Sequence, residues 1–325
     1  MARIYLTRRI PEEGMALLEK EHQVEVFEGD SPPSKQEIID CLRDAEGLLC
    51  LLTDPIDREV LDAAPCLRAI ATYAVGYDNI DVREATRRGI PVSNTPGVLT
   101  DTTADLTWAL IMGIARRIVE GDHMVREGRF KGWGPLVLLG TDVCGKTLGI
   151  VGAGRIGQAV GRRARGFDMD ILYHNRSRKP EFERNCGARY VEMEELLRTA
   201  DYVTLHLPLT SDTYHLIGGE ELDMMKPSAF LINTARGQCV DERALVRALG
   251  SGSIAGAALD VFENEPELTP GLASLSNVLL CPHAGSASRE TRAKMAEMAA
   301  RDLLASLRGE RPRHCINPEI FEKKK

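Results

Sequence analysis

Three glycines in one short segment constrain the fold of this chain more than any other sequence feature. Gly152, Gly154 and Gly157 have the spacing G-x-G-x-x-G and directly follow the apolar run 148–151. After them, apolar residues recur at helical spacing. A strand, a tight glycine turn and a helix in this order open a βαβ unit, so the segment predicts a doubly wound parallel sheet.

The same glycines predict a binding site for the pyrophosphate of a dinucleotide. The first glycine permits the tight turn, the second lets the backbone approach the phosphates, and the third lets the helix pack closely on the strand. Free N–H groups and the helix dipole then attract the phosphate charge. A glycine-rich turn without a ligand is the alternative, and the strand and helix on either side argue against it.

The residues after the next predicted strand, 170–173, indicate which dinucleotide is preferred. An acidic residue at this position usually binds a free ribose 2′-hydroxyl, but this chain has Asn175, Arg176 and Ser177 there. Two further basic residues follow, and the nearby aspartates precede the strand. Cations and hydrogen-bond donors suit a 2′-phosphate, so we predict that NADP(H) is preferred and that NAD(H) is possible. The alternative is a solvated basic turn that accepts either cofactor.

Strand and helix patterns alternate along two stretches of the chain. They fill residues 1–99 and resume at Thr147, which predicts α/β domains with parallel sheets. Between the two stretches, residues 101–127 contain no proline and predict one long helix, and residues 289–307 predict a final helix that returns to the first domain. We therefore expect two domains, a substrate domain and a dinucleotide-binding domain inserted into it: residues 1–99 with 287–325, and residues 100–286.

Three later strands each end in residues that can take part in proton or anion chemistry. Arg236 follows the strand 229–232, Asp260, Glu263 and Glu265 follow the strand 254–259, and His283 follows the strand 278–280. The carboxyl ends of parallel strands meet at one edge of a sheet, where ligands of such sheets bind. We therefore expect these side chains to lie close together beside the dinucleotide.

The three residue types suit the reduction of a 2-oxo acid. A planar guanidinium, Arg236, binds the carboxylate and polarises the ketone, and His283 supplies the proton that the developing alkoxide needs. A carboxylate beside the imidazole orients it, but spacing does not decide between Glu263 and Glu265. His206 also ends a strand and is the rival acid, although we expect it nearer the cofactor. The structural alternatives are that Arg236 forms only a surface ion pair and that His283 has only a structural role.

Taken together, these motifs resemble the D-isomer-specific 2-hydroxyacid dehydrogenases over nearly the whole chain. The segments that carry the resemblance, in order and spacing, are 151–157, 233–237, 262–266 and 282–286. The family's Arg–Glu–His set corresponds to Arg236, Glu265 and His283. The resemblance implies a Rossmann-type doubly wound cofactor domain inserted into a flavodoxin-like substrate domain.

The resemblance also implies which residues contact the cofactor. In this family the equivalent of Asp260 contacts the nicotinamide carboxamide, and Thr103 lies near the cofactor. The predicted cofactor contacts are Thr103, Gly152, Ala153, Gly154, Arg155, Ile156, Gly157, Asn175, Arg176, Ser177, His206, Pro208, Thr213, Thr234, Ala235, Asp260 and Gly285.

Within the family, segments 73–81 and 95–101 look most like those of glyoxylate/hydroxypyruvate reductases. Val75 and Gly76 follow a predicted strand, where backbone N–H groups can hold a small carboxylate. Leu51 and Leu52 would form a wall of the pocket. The predicted substrate contacts are Leu52, Val75, Gly76, Arg236 and His283.

The family resemblance further implies a homodimer. Members of the family are usually dimeric, with the long helix and the loop after it embracing the partner. Trp133 resembles the loop tryptophan that reaches the partner's pocket in related reductases.

Composition excludes several other classes of protein. The net charge of −7 gives no reason to expect nucleic acid or an anionic membrane as a partner, and no apolar run has the length of a membrane span. Eight scattered cysteines form no metal-binding motif and suggest reduced thiols in a cytoplasmic protein.

Three alternative functions remain open: a dehydrogenase of another D-2-hydroxy acid, a phosphite or formate dehydrogenase, and a dinucleotide-sensing module like the C-terminal-binding corepressors.

Overall fold

The computed structural model describes residues 1–29 and 31–322 of the chain. Its residues group into two compact units, one of Met1–Leu99 with the described residues from Ser286 onward and one of Thr100–Gly285. Each unit contains a parallel sheet with helices, which confirms the predicted α/β class. None of the described helices has both the length and the apolar content needed to cross a membrane.

The strands and helices alternate along the chain. The strands are β1 (Arg3–Leu6), β2 (Gln23–Val26), β3 (Gly47–Cys50), β4 (Ala69–Thr72), β5 (Val92–Ser93), β6 (Thr147–Val151), β7 (Asp170–His174), β8 (Arg189–Tyr190), β9 (Tyr202–Leu205), β10 (Phe230–Asn233), β11 (Gly256–Leu259) and β12 (Val278–Leu280). The helices are α1 (Glu12–Glu19), α2 (Lys35–Leu42), α3 (Arg58–Asp62), α4 (Val82–Arg87), α5 (Thr100–Ala115), α6 (Ile118–Arg126), α7 (Arg155–Ala164), α8 (Pro180–Cys186), α9 (Met193–Thr199), α10 (Gly219–Met224), α11 (Glu242–Ser251) and α12 (Arg289–Leu307).

Strand order distinguishes the two sheets. The first unit has the order β2-β1-β3-β4-β5, with every pair parallel, which is the flavodoxin-like order. The second unit has the order β12-β11-β10-β9-β6-β7-β8, also parallel, which is the order of a Rossmann sheet with one strand added. Strands β6 and β9 are neighbours, and the later strands are added on opposite sides of this pair: β7 and β8 next to β6, and β10 to β12 next to β9. This switch point is where sheets of this kind bind ligands.

The last helix, α12, packs in the first unit. Its residues Met295, Ala296 and Leu303 are buried in one cluster with Ile4 and Leu18. The contact between α12 and α1 is close, because a Cβ on Gly14 would lie 2.7 Å from the Ala296 carbonyl oxygen. Each fully buried leucine or isoleucine of this cluster contributes about 1.5–3 kcal/mol through removal from water.

The sheet of the second unit is buried on both faces. Leu148 and Ile150 of β6 lie in a cluster with Ile232, while Val203 and Leu231 lie in another. Parallel strands covered by helices on both sides read as continuous apolar runs, which is why these segments were recognisable in the sequence.

The prediction of one long helix over residues 101–127 is wrong. Helix α5 ends at Ala115, Arg117 has a left-handed φ of 52°, and α6 begins at Ile118. A distant segment covers the end of α5: the N–H of Thr141 donates to the Ala115 carbonyl at 2.8 Å, and a Cβ on Gly140 would lie 2.3 Å from that oxygen. The carbonyl at the end of α5 is therefore satisfied by a loop about 25 residues away, which no local pattern reveals.

Candidate active site

Arg236 lies on a loop whose conformation is stabilised by hydrogen bonds from Asn233. Asn233, the last residue of β10, is 1% exposed. Its Oδ1 accepts the N–H of Ala235 at 3.0 Å, and its Nδ2 donates to the carbonyl of Arg236 at 2.8 Å. The Arg236 guanidinium also donates through Nη1 to the Ala235 carbonyl at 2.8 Å. Sequence analysis missed the role of Asn233, although a polar residue at the end of a buried apolar strand was the available signal.

The loop after β10 packs directly on the loop after β11. A Cβ on Gly237 would lie 1.9 Å from the carbonyl carbon of Phe262 and 2.3 Å from the nitrogen of Glu263. The side chain of Gln238 donates to the Glu263 carbonyl at 2.9 Å. Only glycine permits this approach, so residue 237 sets the distance between the segments that carry Arg236 and Glu265.

His283 and Glu265 form a hydrogen-bonded pair. The distance from His283 Nδ1 to Glu265 Oε2 is 2.8 Å, and Oε1 of Glu265 accepts the N–H of Phe262 at 3.0 Å. His283 has a left-handed φ of 52°, and its N–H donates to the Asp260 carbonyl at 2.9 Å. The imidazole side chain is 27% exposed, so Nε2 is left for a ligand. The pair therefore has the orientation that proton donation from Nε2 requires.

The Glu265 side chain is an ionised carboxylate in this environment. Burial opposes the charged form of Glu265, but the hydrogen bond and charge of His283, the Phe262 N–H and the charge of Arg236 hold its pKa below the ordinary value. Arg236 lies on the loop whose Gly237 packs directly on the segment that leads to Glu265. The structure thus brings together the guanidinium, carboxylate and imidazole that the strand ends predicted.

Glu263, the other candidate carboxylate, has different partners. Its Oε1 lies 2.8 Å from Nε2 of His215, and its N–H donates to Glu242 Oε1 at 2.8 Å. Glu242 is itself buried and accepts the hydroxyl of Thr269 at 2.6 Å. The carboxylate beside His283 is therefore Glu265, and Glu263 belongs to a separate network that supports the same loop.

The glycine turn between β6 and α7 has the features that a bound pyrophosphate requires. Gly152 has a φ of 97°, and a Cβ there would lie 2.4 Å from the His206 carbonyl oxygen. A Cβ on Gly157 would lie 2.2 Å from the Gly152 oxygen, whereas one on Gly154 would meet nothing within 4 Å. No described side chain caps α7, and no acidic residue lies in its first turn. The N–H groups of its first turn therefore have no side-chain cap among the described residues and fit a phosphate anion.

The turn after β7 lies beside this glycine turn, because β7 pairs with β6. Asn175 shapes it by donating from Nδ2 to the Ser177 carbonyl at 2.9 Å. Arg178 is bound to Glu183 through two hydrogen bonds, of 2.9 and 3.0 Å. Arg176 is exposed, and no described carboxylate pairs with it. Arg176 is thus the better placed of the two arginines to meet an added anion.

Three further predicted cofactor residues lie together at the carboxyl end of β11. Thr103 donates its hydroxyl to the Gly285 carbonyl at 3.0 Å, and Asp260 Oδ1 accepts the N–H of Ala284 at 2.6 Å. A Cβ on Gly285 would lie 3.2 Å from Asp260 Oδ2. Asp260 is 1% exposed, and burial raises its pKa.

His206 lies at the switch point of the sheet and is not suited to donate a proton. Burial lowers its pKa to about 3, and neither ring nitrogen has a hydrogen-bond partner among the described residues. A histidine with this pKa is neutral near pH 7, so it cannot replace His283 as the acid. Its backbone contact with Gly152 places it beside the glycine turn. In the following loop, Thr213 donates its hydroxyl to the Pro208 carbonyl at 2.7 Å.

The remaining predicted cofactor residues border the same turn and strand ends. Ala153 is buried in the turn, whereas Arg155 is exposed and Ile156 half-buried at the start of α7. Thr234 shares a hydrogen bond of 3.0 Å with the hydroxyl of Thr107. These positions line the carboxyl edge of the sheet in the second unit.

The substrate contacts predicted in the first unit lie on two loops after β3 and β4. Leu52, Val75 and Gly76 are half-buried. The loop after β4 is held by Asn94, whose Nδ2 donates to the Val75 carbonyl at 2.7 Å, and the loop after β3 is held by Asn79, which donates to the Leu51 carbonyl at 2.9 Å.

Comparison with known proteins agrees with this geometry. Residues 108–285 match the model of the D-isomer specific 2-hydroxyacid dehydrogenase, NAD binding domain. The chain belongs to this family. The resemblance inferred from the motifs is thereby confirmed, and the chain is a dehydrogenase that uses a nicotinamide dinucleotide.

Individual relatives of this dehydrogenase match over their full lengths. A glyoxylate reductase of Korarchaeum cryptofilum is 56% identical over 98% of this chain and 97% of its own, and one of Thermococcus litoralis is 52% identical over 98% of each chain. A crystal structure of an NADPH-dependent glyoxylate/hydroxypyruvate reductase from Sinorhizobium meliloti, in complex with NADP and malonate, has a TM-score of 0.88 at 32% identity. It covers 100% of this chain and 99% of its own.

Proposed function

We propose that this dehydrogenase reduces glyoxylate and hydroxypyruvate to the corresponding 2-hydroxy acids, with NADPH as the preferred reductant. The observation that carries the proposal is the hydrogen-bonded Glu265–His283 pair, at the same sheet edge as the glycine turn and on a segment that packs on the Arg236 loop. Relatives named glyoxylate reductase, at 50–56% identity over almost the whole chain, support the choice of substrate.

The chain's own residues supply binding and proton transfer. When bound at the glycine turn, the reduced dinucleotide supplies the hydride. Arg236 binds the substrate carboxylate through its planar fork and polarises the carbonyl that accepts the hydride. His283 donates the proton from Nε2 to the carbonyl oxygen, because Nδ1 is engaged by Glu265. Glu265 holds the imidazole in place through its hydrogen bond to Nδ1.

The proposal includes the first unit as the substrate domain and the second as the dinucleotide-binding domain. Val75 and Gly76 would then hold the substrate carboxylate with backbone N–H groups, and Leu52 would form an apolar wall. These assignments rest on the loop positions after β3 and β4 and on the resemblance to reductases of this kind.

Preference for NADPH is supported by the turn after β7. Arg176 is exposed and unpaired among the described carboxylates, and Ser177 offers a hydroxyl. A guanidinium there favours a 2′-phosphate, whereas no acidic side chain is present to bind a free 2′-hydroxyl. The ratio of kcat/KM for NADPH to that for NADH measures this preference, and a ratio below one contradicts it.

A homodimer is supported by an apolar surface on the second unit. No residue of α6 is buried, and the loop after it exposes Trp133 by 87% and Leu136 by 80%. The other large apolar side chains exposed in the same part of the chain are Ile118, Val119, Val125, Phe130, Val137 and Leu139. Large apolar side chains exposed in such number within one stretch of the chain are typical of a protein interface.

Light scattering tests the dimer directly. We expect a mass of twice the chain mass of 35.8 kDa, and the double variant Val125→Lys with Leu136→Lys should shift the protein to monomers. A monomeric wild type at every concentration would contradict the assignment.

The cysteines fit a reducing compartment, and we propose a cytoplasmic location on that ground. All eight lie in the described part of the chain, and no disulfide joins any two of them. Burial raises the pKa of the Cys50 and Cys281 thiols, so these groups act as small apolar side chains.

Turnover by the purified chain tests the main proposal. NADPH oxidation, followed by nicotinamide absorbance, is expected with both glyoxylate and hydroxypyruvate. Replacement of His283 by asparagine keeps the approximate shape and should abolish most of that turnover while preserving dinucleotide binding. Dinucleotide binding without turnover on any small 2-oxo acid would refute the proposal and indicate a sensing module instead.

A further inference from the structure

The turn after β7, residues 175–179, is tied to one buried side chain, that of Tyr173. The Tyr173 hydroxyl accepts the N–H of Lys179 at 2.7 Å and donates to Oε1 of Glu183 at 2.6 Å. The hydroxyl thus uses its acceptor capacity on the last residue of the turn and its donor capacity on α8. The turn therefore begins two residues after Tyr173 in the sequence and ends against the same side chain in space.

The Tyr173 side chain has little freedom to move. It is fully buried, and its ring packs edge to face with those of Phe182 and Tyr190, at centroid distances of 5.4 and 5.5 Å. Burial and the hydrogen bond to Glu183 raise the pKa of the phenol, so it stays protonated near neutral pH and continues to donate. A hydroxyl on so confined a ring is a fixed anchor point for the turn.

The same group of hydrogen bonds distinguishes the two arginines of the turn. Arg178 donates two hydrogen bonds to Glu183, of 2.9 and 3.0 Å, and these bonds, together with that from Tyr173, lower the pKa of the carboxyl. Arg176 is exposed and has no such partner among the described carboxylates. The charge of Arg178 is therefore balanced by its neighbour, whereas that of Arg176 is available to an added anion.

We propose that Tyr173 is a positioning residue for the 2′-phosphate of the cofactor, an inference that rests on the NADPH preference proposed above. Its hydroxyl fixes the end of the turn at Lys179, so that Arg176 and Ser177 are held in place before the phosphate binds. Groups ordered in advance bind an anion more tightly, because less conformational freedom is lost on binding.

The effect of the Tyr173 hydroxyl should be selective for NADPH. The turn after β7 contains no carboxylate that could bind the free 2′-hydroxyl of NADH. The glycine turn for the pyrophosphate is joined to β7 by a backbone hydrogen bond, from the N–H of Gly152 to the carbonyl of His174 at 2.9 Å. Removing the hydroxyl leaves that backbone bond in place, so binding of NADH should be preserved.

The variant Tyr173→Phe tests the proposal, with Tyr202→Phe as the matched control. Tyr202 is also fully buried in the same sheet, but it is the first residue of β9 and therefore lies at the opposite edge from the turn. Its hydroxyl donates to the Asp142 carbonyl at 2.8 Å. Each variant keeps the aromatic ring and loses one hydroxyl.

Dissociation constants for NADPH and NADH are measured by titration of nicotinamide fluorescence, without substrate. We expect Tyr173→Phe to raise the Kd for NADPH about three- to tenfold, the usual range for one hydrogen bond. The Kd for NADH should stay within about twofold of the wild type, and Tyr202→Phe should change neither value by more than about twofold. Melting temperatures should fall by a few degrees in both variants, so a general loss of stability would weaken binding in both.

A double-mutant cycle with Arg176→Ala shows whether Tyr173 acts through the turn. When Arg176 has been replaced, Tyr173→Phe should change the Kd for NADPH by less than about twofold, because the guanidinium that it positions is gone. If the whole effect of Tyr173→Phe persists in that background, the hydroxyl acts elsewhere and the inference is wrong.

The remaining outcomes separate this inference from the preference on which it rests. Equal weakening of NADPH and NADH by Tyr173→Phe, or no weakening of NADPH, would overturn the role of Tyr173 while leaving the NADPH preference intact. A wild-type protein that binds NADH as tightly as NADPH would overturn the proposed preference and this inference together.

Discussion

Replacing Gly237 by alanine is expected to damage catalysis without touching any reacting group. The added methyl would lie 1.9 Å from the Phe262 carbonyl carbon and 2.0 Å from its oxygen, whereas ordinary contacts begin near 3.4 Å. Both atoms belong to the backbone, so no side chain can rotate away. The loops after β10 and β11 must therefore separate by about 1.5 Å.

That separation changes the geometry of the site. Arg236 precedes the altered residue, and Glu265 lies three positions after Phe262, so either loop carries a reacting group with it. A misplacement of about 1 Å costs roughly 10²-fold in rate. We expect kcat/KM to fall by about this factor, with a melting temperature lower by roughly 2–12 °C from overpacking of about 1–3 kcal/mol.

The assay compares Gly237→Ala with Gly250→Ala. Gly250 lies near the end of α11, and a Cβ there would meet nothing within 4 Å. This control should keep the wild-type kcat/KM and gain up to about 1 kcal/mol of stability from the better helix former. Dinucleotide affinity, measured by fluorescence titration, should survive in both variants because the glycine turn after β6 is untouched.

A particular result would refute this reasoning. If Gly237→Ala retains kcat/KM within about threefold of the wild type, the loop contact does not set the positions of Arg236 and Glu265. Loss of dinucleotide affinity in parallel with turnover would also count against it, because the damage would then extend beyond the two loops.

Three further predictions concern single side chains. His283→Asn should lower turnover by about 10²–10⁴-fold with dinucleotide affinity retained, and unchanged turnover would remove His283 from its role. Arg176→Glu should lower the NADPH-to-NADH ratio of kcat/KM at least about tenfold, and an unchanged ratio would show that Arg176 does not bind the 2′-phosphate. Burial raises the pKa of Asp260, so its charged form costs stability above that pKa. Asp260→Asn should therefore stabilise the dinucleotide-free protein at pH 7. This gain in stability should shrink as the pH falls through the pKa that Asp260 has in the folded protein. Thermal melts that show the opposite trend would contradict this prediction.

Much of the fold was accessible from sequence because its signals are local. Helix α12 has the predicted bounds, and the glycine turn lies between a strand and a helix as its spacing required. Strands β5 and β8, each of two residues, have no counterpart in the predicted pattern because so short a segment carries no periodicity. The break at Arg117 escaped prediction, and the contact that satisfies the end of α5 comes from a loop distant in sequence.

The sequence by itself determined the chemical groups and their common location. Strand periodicity and the rule that parallel strands end at one edge were sufficient to place Arg236, His283 and a carboxylate together. From the residues alone, spacing did not decide which carboxylate meets the imidazole. Glu263 and Glu265 are two residues apart, and only the packed structure pairs one with His215 and the other with His283.

Tertiary packing likewise decided how rigidly those groups are held. The approach of Gly237 to Phe262 and the two hydrogen bonds of Asn233 join segments whose separation in space no local pattern encodes. Residue type and periodicity are properties of a segment, whereas distances between loops follow from how distant segments share one core.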